Sequence, residues 1–210
     1  MDETRRDQFL IRGLLSAWLE KGRAHPSVEE AGRAAAIGYC YGGMLMFDIV
    51  RAGIDIDLVV SFHGIPQRYE ASDRQRRSPP DLSPVLTAPF MHSAPKRPPF
   101  AVKSPENTYK TAAKVRVLVE NGDADDYVPD EGIAAWKKEM DAAGVDWVWH
   151  DHARTPHGFA LAPDICTEYT EAADRRSTRA MWAMIKESWP DAPIVPIELN
   201  ACGTVIHPKQ

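Results

Sequence analysis

Cysteine is scarce in this chain of 210 residues, which contains only three, Cys40, Cys166 and Cys202. An odd, widely spaced set does not form the paired disulfide framework of a small secreted domain. Such sparse cysteine is typical of a reducing compartment, and we therefore expect a cytoplasmic protein.

Long apolar runs and an excess of positive charge are also missing. No stretch approaches the roughly 20 apolar residues that cross a bilayer, and the charged residues 1–7 are not followed by the apolar core of a signal peptide. The formal net charge of −5 argues against a general nucleic-acid binder. We predict neither a membrane nor a nucleic-acid partner, and the length suits one domain with a sizeable core.

The apolar patterning predicts strands that alternate with helices. The predicted strands are 34–37, 58–62, 115–119 and 146–150, and the predicted helices are 8–21, 44–50, 131–143 and about 167–189. Asp130 is the expected N-cap of the third helix, and Gly144 is expected just past its end. This alternation indicates an α/β fold whose parallel sheet is covered on both faces.

Residues 66–110 interrupt the alternation with nine of the chain's 17 prolines. A long irregular segment inside a compact domain is usually either functional or disordered. Because it leaves the carboxyl end of a predicted strand, where open α/β sheets bind ligands, it could be a substrate lid or a silent surface loop. We expect one domain over 1–190 with this insertion, and a tail of unassigned role over 191–210.

The hexapeptide 38–43, Gly-Tyr-Cys-Tyr-Gly-Gly, joins a predicted strand to a predicted helix. A strand, a tight glycine turn and a helix form a nucleophile elbow. Cys40 would then lie at a helix N-terminus, where the dipole favours the thiolate, and the backbone N–H of Tyr41 would face a developing oxyanion. The alternative is a buried structural cysteine beside a glycine turn.

An activated cysteine requires a base and an orienting group. Three acids, Asp123, Asp125 and Asp126, follow the third predicted strand, and His157 follows the fourth. The order of nucleophile, acid and histidine is that of α/β-hydrolases. The acids that do not orient the histidine would be turn residues that bond local backbone or face water, and this is what we expect of Asp123 and Asp126.

Other histidines offer competing interpretations. His150 and His152 are two residues apart, so they lie on the same face of a predicted strand and could form a metal site with His157. No cysteine or carboxylate cluster in the sequence completes such a site. His63, at a strand end beside Gly64, could line the site, but we favour a structural role for it. We predict neither a metal nor a cofactor. A class I glutamine amidotransferase also has a cysteine elbow, but it requires a later H-x-E, which the residues after His157 do not match.

Three motifs in this order resemble those of the dienelactone hydrolase family: G-Y-C-x-G-G at 38–43, D-x-x-V-P at 125–129 and H-G-F at 157–159. The resemblance spans about residues 8–189 apart from the insertion. It implies an α/β-hydrolase-like sheet and a cofactor-free hydrolase of a small ester or lactone. Cys40 would be the nucleophile, His157 the base, Asp125 its orienting acid and Tyr41 the oxyanion donor, through an acyl-enzyme intermediate.

The same resemblance implies further strands and an oxyanion-hole loop before the first helix, for which we find no counterpart. We therefore expect an N-terminally truncated fold with about four recognisable strands, one oxyanion donor and slow turnover. The exposed sheet edge would favour self-association. A truncated gene product, a subunit completed by another chain, and an inactive relative that acts as a binding module all fit these expectations. Substrate identity stays open.

Overall fold

The computed structural model describes residues 8–26, 28, 32–66, 114–191, 198–199 and 205–206. The predicted lid or surface loop, from residue 67 onward, lies outside the described residues. The elements in chain order are α1 (Gln8–Arg23), β1 (Ala35–Tyr39), α2 (Tyr41–Arg51), β2 (Leu58–Phe62), β3 (Arg116–Gly122), α3 (Asp130–Ala143), β4 (Asp146–His152), α4 (Glu171–Ser188), β5 (Glu198–Leu199) and β6 (Val205–Ile206).

Strands β1 to β4 form one parallel sheet in the order β1-β2-β3-β4. The predicted α/β class with four parallel strands is therefore confirmed. Because all four strands run in the same direction, their carboxyl ends share one edge, and the loops that leave those ends meet there. In the tail, β5 and β6 form a separate antiparallel pair, which the sequence did not predict.

Two strands run farther than their apolar cores predict. β3 continues through Gly122 and β4 through His152, and these two terminal residues are paired. The Asn-Gly pair at 121–122 indicates a turn, but ladder pairing and a hydrogen bond from the Asn121 amide to Asp151 (2.9 Å) hold it in the sheet. The longer strands carry the chain directly into the loops at the sheet edge.

Two helix starts differ from prediction. Asp130 is the first residue of α3 rather than its N-cap, which is Pro129; its carboxylate lies in the first turn, where the helix dipole favours negative charge. Gly144 ends the helix in the left-handed region (φ 67°), as predicted. α4 begins at 171 rather than 167, because the residues just before it bond elsewhere: the N–H of Tyr169 donates to the Cys166 carbonyl (3.4 Å), and that of Thr170 donates to the Phe159 carbonyl (3.0 Å).

Apolar side chains cover both faces of the sheet. One face packs against α1, α2 and α3, and its fully or nearly fully buried members include Phe47, Val59, Val117, Trp136 and Met140. The other face packs against α4, with Leu58, Val60, Phe62 and Leu118 against Met181, Met184 and Ile185. The predicted coverage on both sides is confirmed, and it leaves the carboxyl edge as the place for chemistry.

β1 pairs with β2 and with no other described strand, so it forms one edge of the described sheet. On its α4 side, Ile37 is 42% and Tyr39 38% exposed. An open edge was expected here, and self-association through it stays a prediction. Within the described part of the chain, no helix combines the length and apolarity needed to cross a membrane.

Candidate active site

The turn between β1 and α2 holds Cys40 in a sparsely populated backbone conformation, with φ 52° and ψ −115°. Such a residue typically stores about 1–3 kcal/mol of strain. The turn can close because residue 38 is glycine: a Cβ atom there would lie 2.2 Å from the carbonyl oxygen of Gly42. The strand–turn–helix arrangement expected of 38–43 is present, with Cys40 immediately before α2.

Three side chains that lie far apart in sequence form a continuous hydrogen-bonded chain. The Nε2 atom of His157 lies 3.1 Å from the Sγ atom of Cys40, and its Nδ1 atom lies 2.7 Å from Oδ2 of Asp125. The carboxylate is fully buried, whereas the imidazole is 20% exposed. This arrangement can move a proton between the thiol and the imidazole while the carboxylate fixes the ring.

Electrostatics favours a charged imidazole at this position. The hydrogen bond that His157 donates to Asp125 is the main cause that raises the pKa of His157 to about 9. Burial opposes this shift, and the hydrogen bond to Cys40 adds to it. His157 therefore holds its proton at neutral pH. A cation next to a cysteine stabilises negative charge on the sulfur, which is the reactive form.

Of the three acids in the turn after β3, the structure brings Asp125 to the histidine. Asp123 and Asp126 are exposed, whereas Asp125 is 5% exposed. Its second oxygen, Oδ1, accepts the backbone N–H of Tyr127 at 2.9 Å, so both carboxylate oxygens are bonded. The ring of Tyr127 packs edge-on against His157, with centroids 5.0 Å apart.

Backbone contacts tie the acid turn to the histidine loop. The N–H of Asp123 donates to the carbonyl of His152, and the N–H of Ala124 donates to that of Thr155, both at 3.0 Å. A Cβ atom at Gly122 would lie 2.2 Å from the same Thr155 oxygen, so this approach requires glycine. These backbone contacts hold the two loops together, and they thereby fix the distance between the Asp125 carboxylate and the His157 imidazole.

His63 also lines the site, although the sequence favours a structural role for it. It is fully buried, has a positive φ of 40°, and places Nδ1 3.1 Å from the backbone N of Cys40. That N–H also lies 3.0 Å from the Phe62 carbonyl, so the two acceptors share it. The available clue was its position at the carboxyl end of the strand beside the elbow.

His63 remains neutral beside a charged neighbour. Burial, and then the charge of His157, lower the pKa of His63 to about 4, although Asp125 opposes this shift. Because Nδ1 accepts a hydrogen bond, the single ring hydrogen lies on Nε2, which has no hydrogen-bond partner among the described residues. The site thus holds one charged and one neutral imidazole at neutral pH.

The other two candidate histidines bind a carboxylate on the neighbouring strand. His150 Nδ1 and His152 Nε2 lie 2.8 Å and 2.7 Å from the two oxygens of Glu120. Glu120 is fully buried, and burial raises the pKa of its carboxyl group. The sequence placed both histidines on one face but missed Glu120, because only the register of β3 with β4 brings residue 120 opposite residue 150.

Two further features bear on chemistry. Tyr41 is the first residue of α2 and directly follows Cys40, at the end of the helix where the dipole favours negative charge. One donor atom from each of Cys40, His63 and His157 also lies within 4.8 Å of the others. A sulfur and two imidazole nitrogens are ligands that zinc prefers.

Residues 4–189 match the model of the dienelactone hydrolase family. An uncharacterized protein of Caenorhabditis elegans is 25% identical over 186 residues, which cover 85% of this chain and 94% of the relative. The part of the chain that matches the family model, residues 4–189, contains all three motifs that indicate this family.

Solved structures share the fold. A dienelactone hydrolase-like promiscuous phosphotriesterase from metagenomic libraries superposes with a TM-score of 0.61 at 23% identity, over 88% of this chain and 64% of the other. A structure named m3DLH gives 0.62 at 25% identity, over 85% and 61%. The chain thus spans less than two thirds of either solved relative. With the family model matching most of its length, the chain belongs to the dienelactone hydrolase family.

Proposed function

We propose that this chain hydrolyses an ester or lactone of a small molecule, with Cys40 as its nucleophile. The hydrogen-bonded chain from Cys40 through His157 to Asp125 carries this proposal. It supplies a nucleophile, a base and an orienting group within hydrogen-bond reach, on the loops where open α/β sheets place their chemistry. Family membership supports hydrolase activity in general.

In the acylation step, the Sγ atom of Cys40 attacks the carbonyl carbon as thiolate. The negative charge that develops on the carbonyl oxygen is stabilised by the backbone N–H of Tyr41. When the tetrahedral intermediate collapses, the carbon–oxygen bond breaks and the leaving alkoxide takes the proton from His157. The products of this step are a thioester on Cys40, an alcohol and a neutral imidazole.

In the deacylation step, His157 acts as the base. Its neutral Nε2 takes a proton from water, whose oxygen attacks the thioester carbon. The second intermediate expels the Cys40 thiolate and releases a carboxylic acid. Asp125 stabilises the imidazolium that forms again, because its carboxylate stays bonded to Nδ1 throughout. For a lactone, the alcohol and the acid are the two ends of one product.

Access to the site fits a small substrate. Cys40 is half-buried and the imidazole is 20% exposed, so a carbonyl can reach the sulfur from solvent while the carboxylate stays dry. The alternative is a catalytically impaired relative that binds ligands without turnover. Such a protein would keep the contacts among Cys40, His157 and Asp125 but cleave no ester.

Hydrolysis of p-nitrophenyl acetate and of an aromatic lactone tests the proposal with Cys40→Ala and the control Cys166→Ala. Both thiols are half-buried, so the two variants make the same chemical change. We expect C40A to fall to the uncatalysed rate, and C166A to remain within about threefold of the parent. Equal activity of C40A and the parent would refute the nucleophile. Lack of turnover in the parent would favour the binding module.

A further inference from the structure

We propose that Cys40, His63 and His157 also form a binding site for a thiophilic divalent cation such as Zn²⁺ or Cd²⁺, and that the bound ion blocks the thiol. The inference concerns the same cleft as the proposed function but requires no turnover. It assigns to His63 a role as the third protein ligand.

The three donors have suitable chemistry and spacing. Zinc binds thiolate at about 2.3 Å and imidazole at about 2.0–2.1 Å, so its tetrahedral donors lie about 3.3–3.6 Å apart. The Cys40–His157 pair is already at 3.1 Å, and all three donor atoms lie within 4.8 Å of one another. Closer approach of the His63 donor atom, which already lies within 4.8 Å of the other two, would complete three corners, and water would take the fourth.

His63 has a lone pair that it can give to a metal. The Nδ1 atom accepts a backbone N–H that the Phe62 carbonyl also accepts, so that amide keeps a partner if Nδ1 turns to an ion. The Nε2 atom has no partner among the described residues.

The surrounding charges suit a dication. The thiolate and the buried Asp125 carboxylate together offset two positive charges. Asp125 bonds Nδ1 of His157 at 2.7 Å, and a carboxylate bonded to the far nitrogen of a ligating imidazole is the usual support of zinc-bound histidine. Binding displaces the proton that Cys40 and His157 share and forms one metal–sulfur and two metal–nitrogen bonds.

Cadmium titration provides a readout that does not depend on activity, because a cadmium–thiolate bond absorbs in the ultraviolet. The full chain with Cys166→Ser and Cys202→Ser serves as parent, so that Cys40 is its only thiol. His63→Asn removes the third ligand, and Cys40→Ser removes the sulfur. His25→Asn is the matched control, because His25 lies in an exposed turn outside the site. Circular dichroism checks that each variant is folded.

We expect one Cd²⁺ per parent chain, no thiolate band in the C40S variant, and Kd weakened at least fivefold by H63N but unchanged by H25N. Loss of less than fivefold in H63N, or an unchanged band in C40S, would overturn the site. Zinc should compete with cadmium for it. If Cd²⁺ binding depends on Cys40 and His63 but the chain cleaves no ester, the metal site stands and the proposed function fails. If the chain cleaves esters but Cd²⁺ binding does not depend on His63, the proposed function stands and the metal site fails.

Discussion

The imidazole of His63 lies edge-on to that of His157, with ring centroids 5.1 Å apart. Their environments move their pKa values in opposite directions, to about 4 for the buried His63 and about 9 for the Asp125-bonded His157. The charged ring faces the sulfur of Cys40, and the neutral ring faces its backbone amide. This division of charge has consequences for stability that titration can measure.

His63 should lower stability in mild acid. Its unfolded form takes up a proton below pH 6.5, whereas the native form stays neutral until about pH 4, so the unfolding free energy falls as the pH drops through this window. Between pH 6.5 and 4, we expect the His63→Asn variant to lose less unfolding free energy than the parent, by up to about 3 kcal/mol, as measured by urea unfolding. Asparagine tolerates the positive φ and can accept the Cys40 N–H. Parallel pH curves for H63N and the parent would contradict the buried neutral state.

His157 should act in the opposite direction. Because its native pKa of about 9 lies above its unfolded value of 6.5, its contribution is complete below pH 6.5 and is lost as the pH rises to 9. We expect the parent to lose on the order of 1–3 kcal/mol over this range. His157→Gln should lose much less, with His25→Asn behaving like the parent. An equally steep decline in H157Q would show that other groups cause it.

The elbow offers a matched pair of glycines. A Cβ atom at Gly38 would meet the Gly42 carbonyl oxygen at 2.2 Å, whereas one at Gly42 would meet nothing within 4 Å. Gly38→Ala should therefore cost about 1–3 kcal/mol or more through backbone overpacking. Gly42→Ala, in the first turn of α2, should be neutral or stabilising by up to about 1 kcal/mol. Thermal unfolding measures the stability of both variants. Equal effects of the two substitutions would mean that the turn does not depend on the close approach of residues 38 and 42.

Among the acids of the turn, only Asp125 should matter for rate. Asp125→Asn removes the charge that holds the proton of His157, and we expect kcat for p-nitrophenyl acetate to fall by roughly 10²–10⁴-fold. Asp126→Asn makes the same change one residue away on an exposed side chain, and it should stay within about threefold of the parent. Comparable losses in both variants would argue for a general charge effect rather than a specific hydrogen bond.

Periodicity is enough to predict the sheet class, because strands alternate with helices along the chain. The residues alone place Cys40, the three acids and His157 after strand ends, which share one edge of a parallel sheet. The choice of Asp125 among those acids depends on the resemblance to the dienelactone hydrolase family. The ends of the strands are harder to predict. Asn121 favours a turn, but its hydrogen bond to Asp151 on the neighbouring strand keeps it in the sheet, and that contact depends on how the strands pair.

Side-chain contacts between residues on neighbouring strands could not be predicted from local sequence patterns. Glu120 binds His150 and His152 only through the β3–β4 register. His63 reaches the amide of Cys40 because β1 and β2 are adjacent. Both relationships depend on strand order, which local patterns leave open.

The central claim is that Cys40 carries the acyl group during ester cleavage. Rapid quenching of the chain with p-nitrophenyl acetate, followed by peptide mass spectrometry, measures this directly. We expect a transient acetyl group on the peptide that contains Cys40, absent in Cys40→Ala and unaffected by Cys166→Ala. Ester cleavage with no acetylated Cys40 peptide, or with the label on Cys166 or Cys202, would contradict the account.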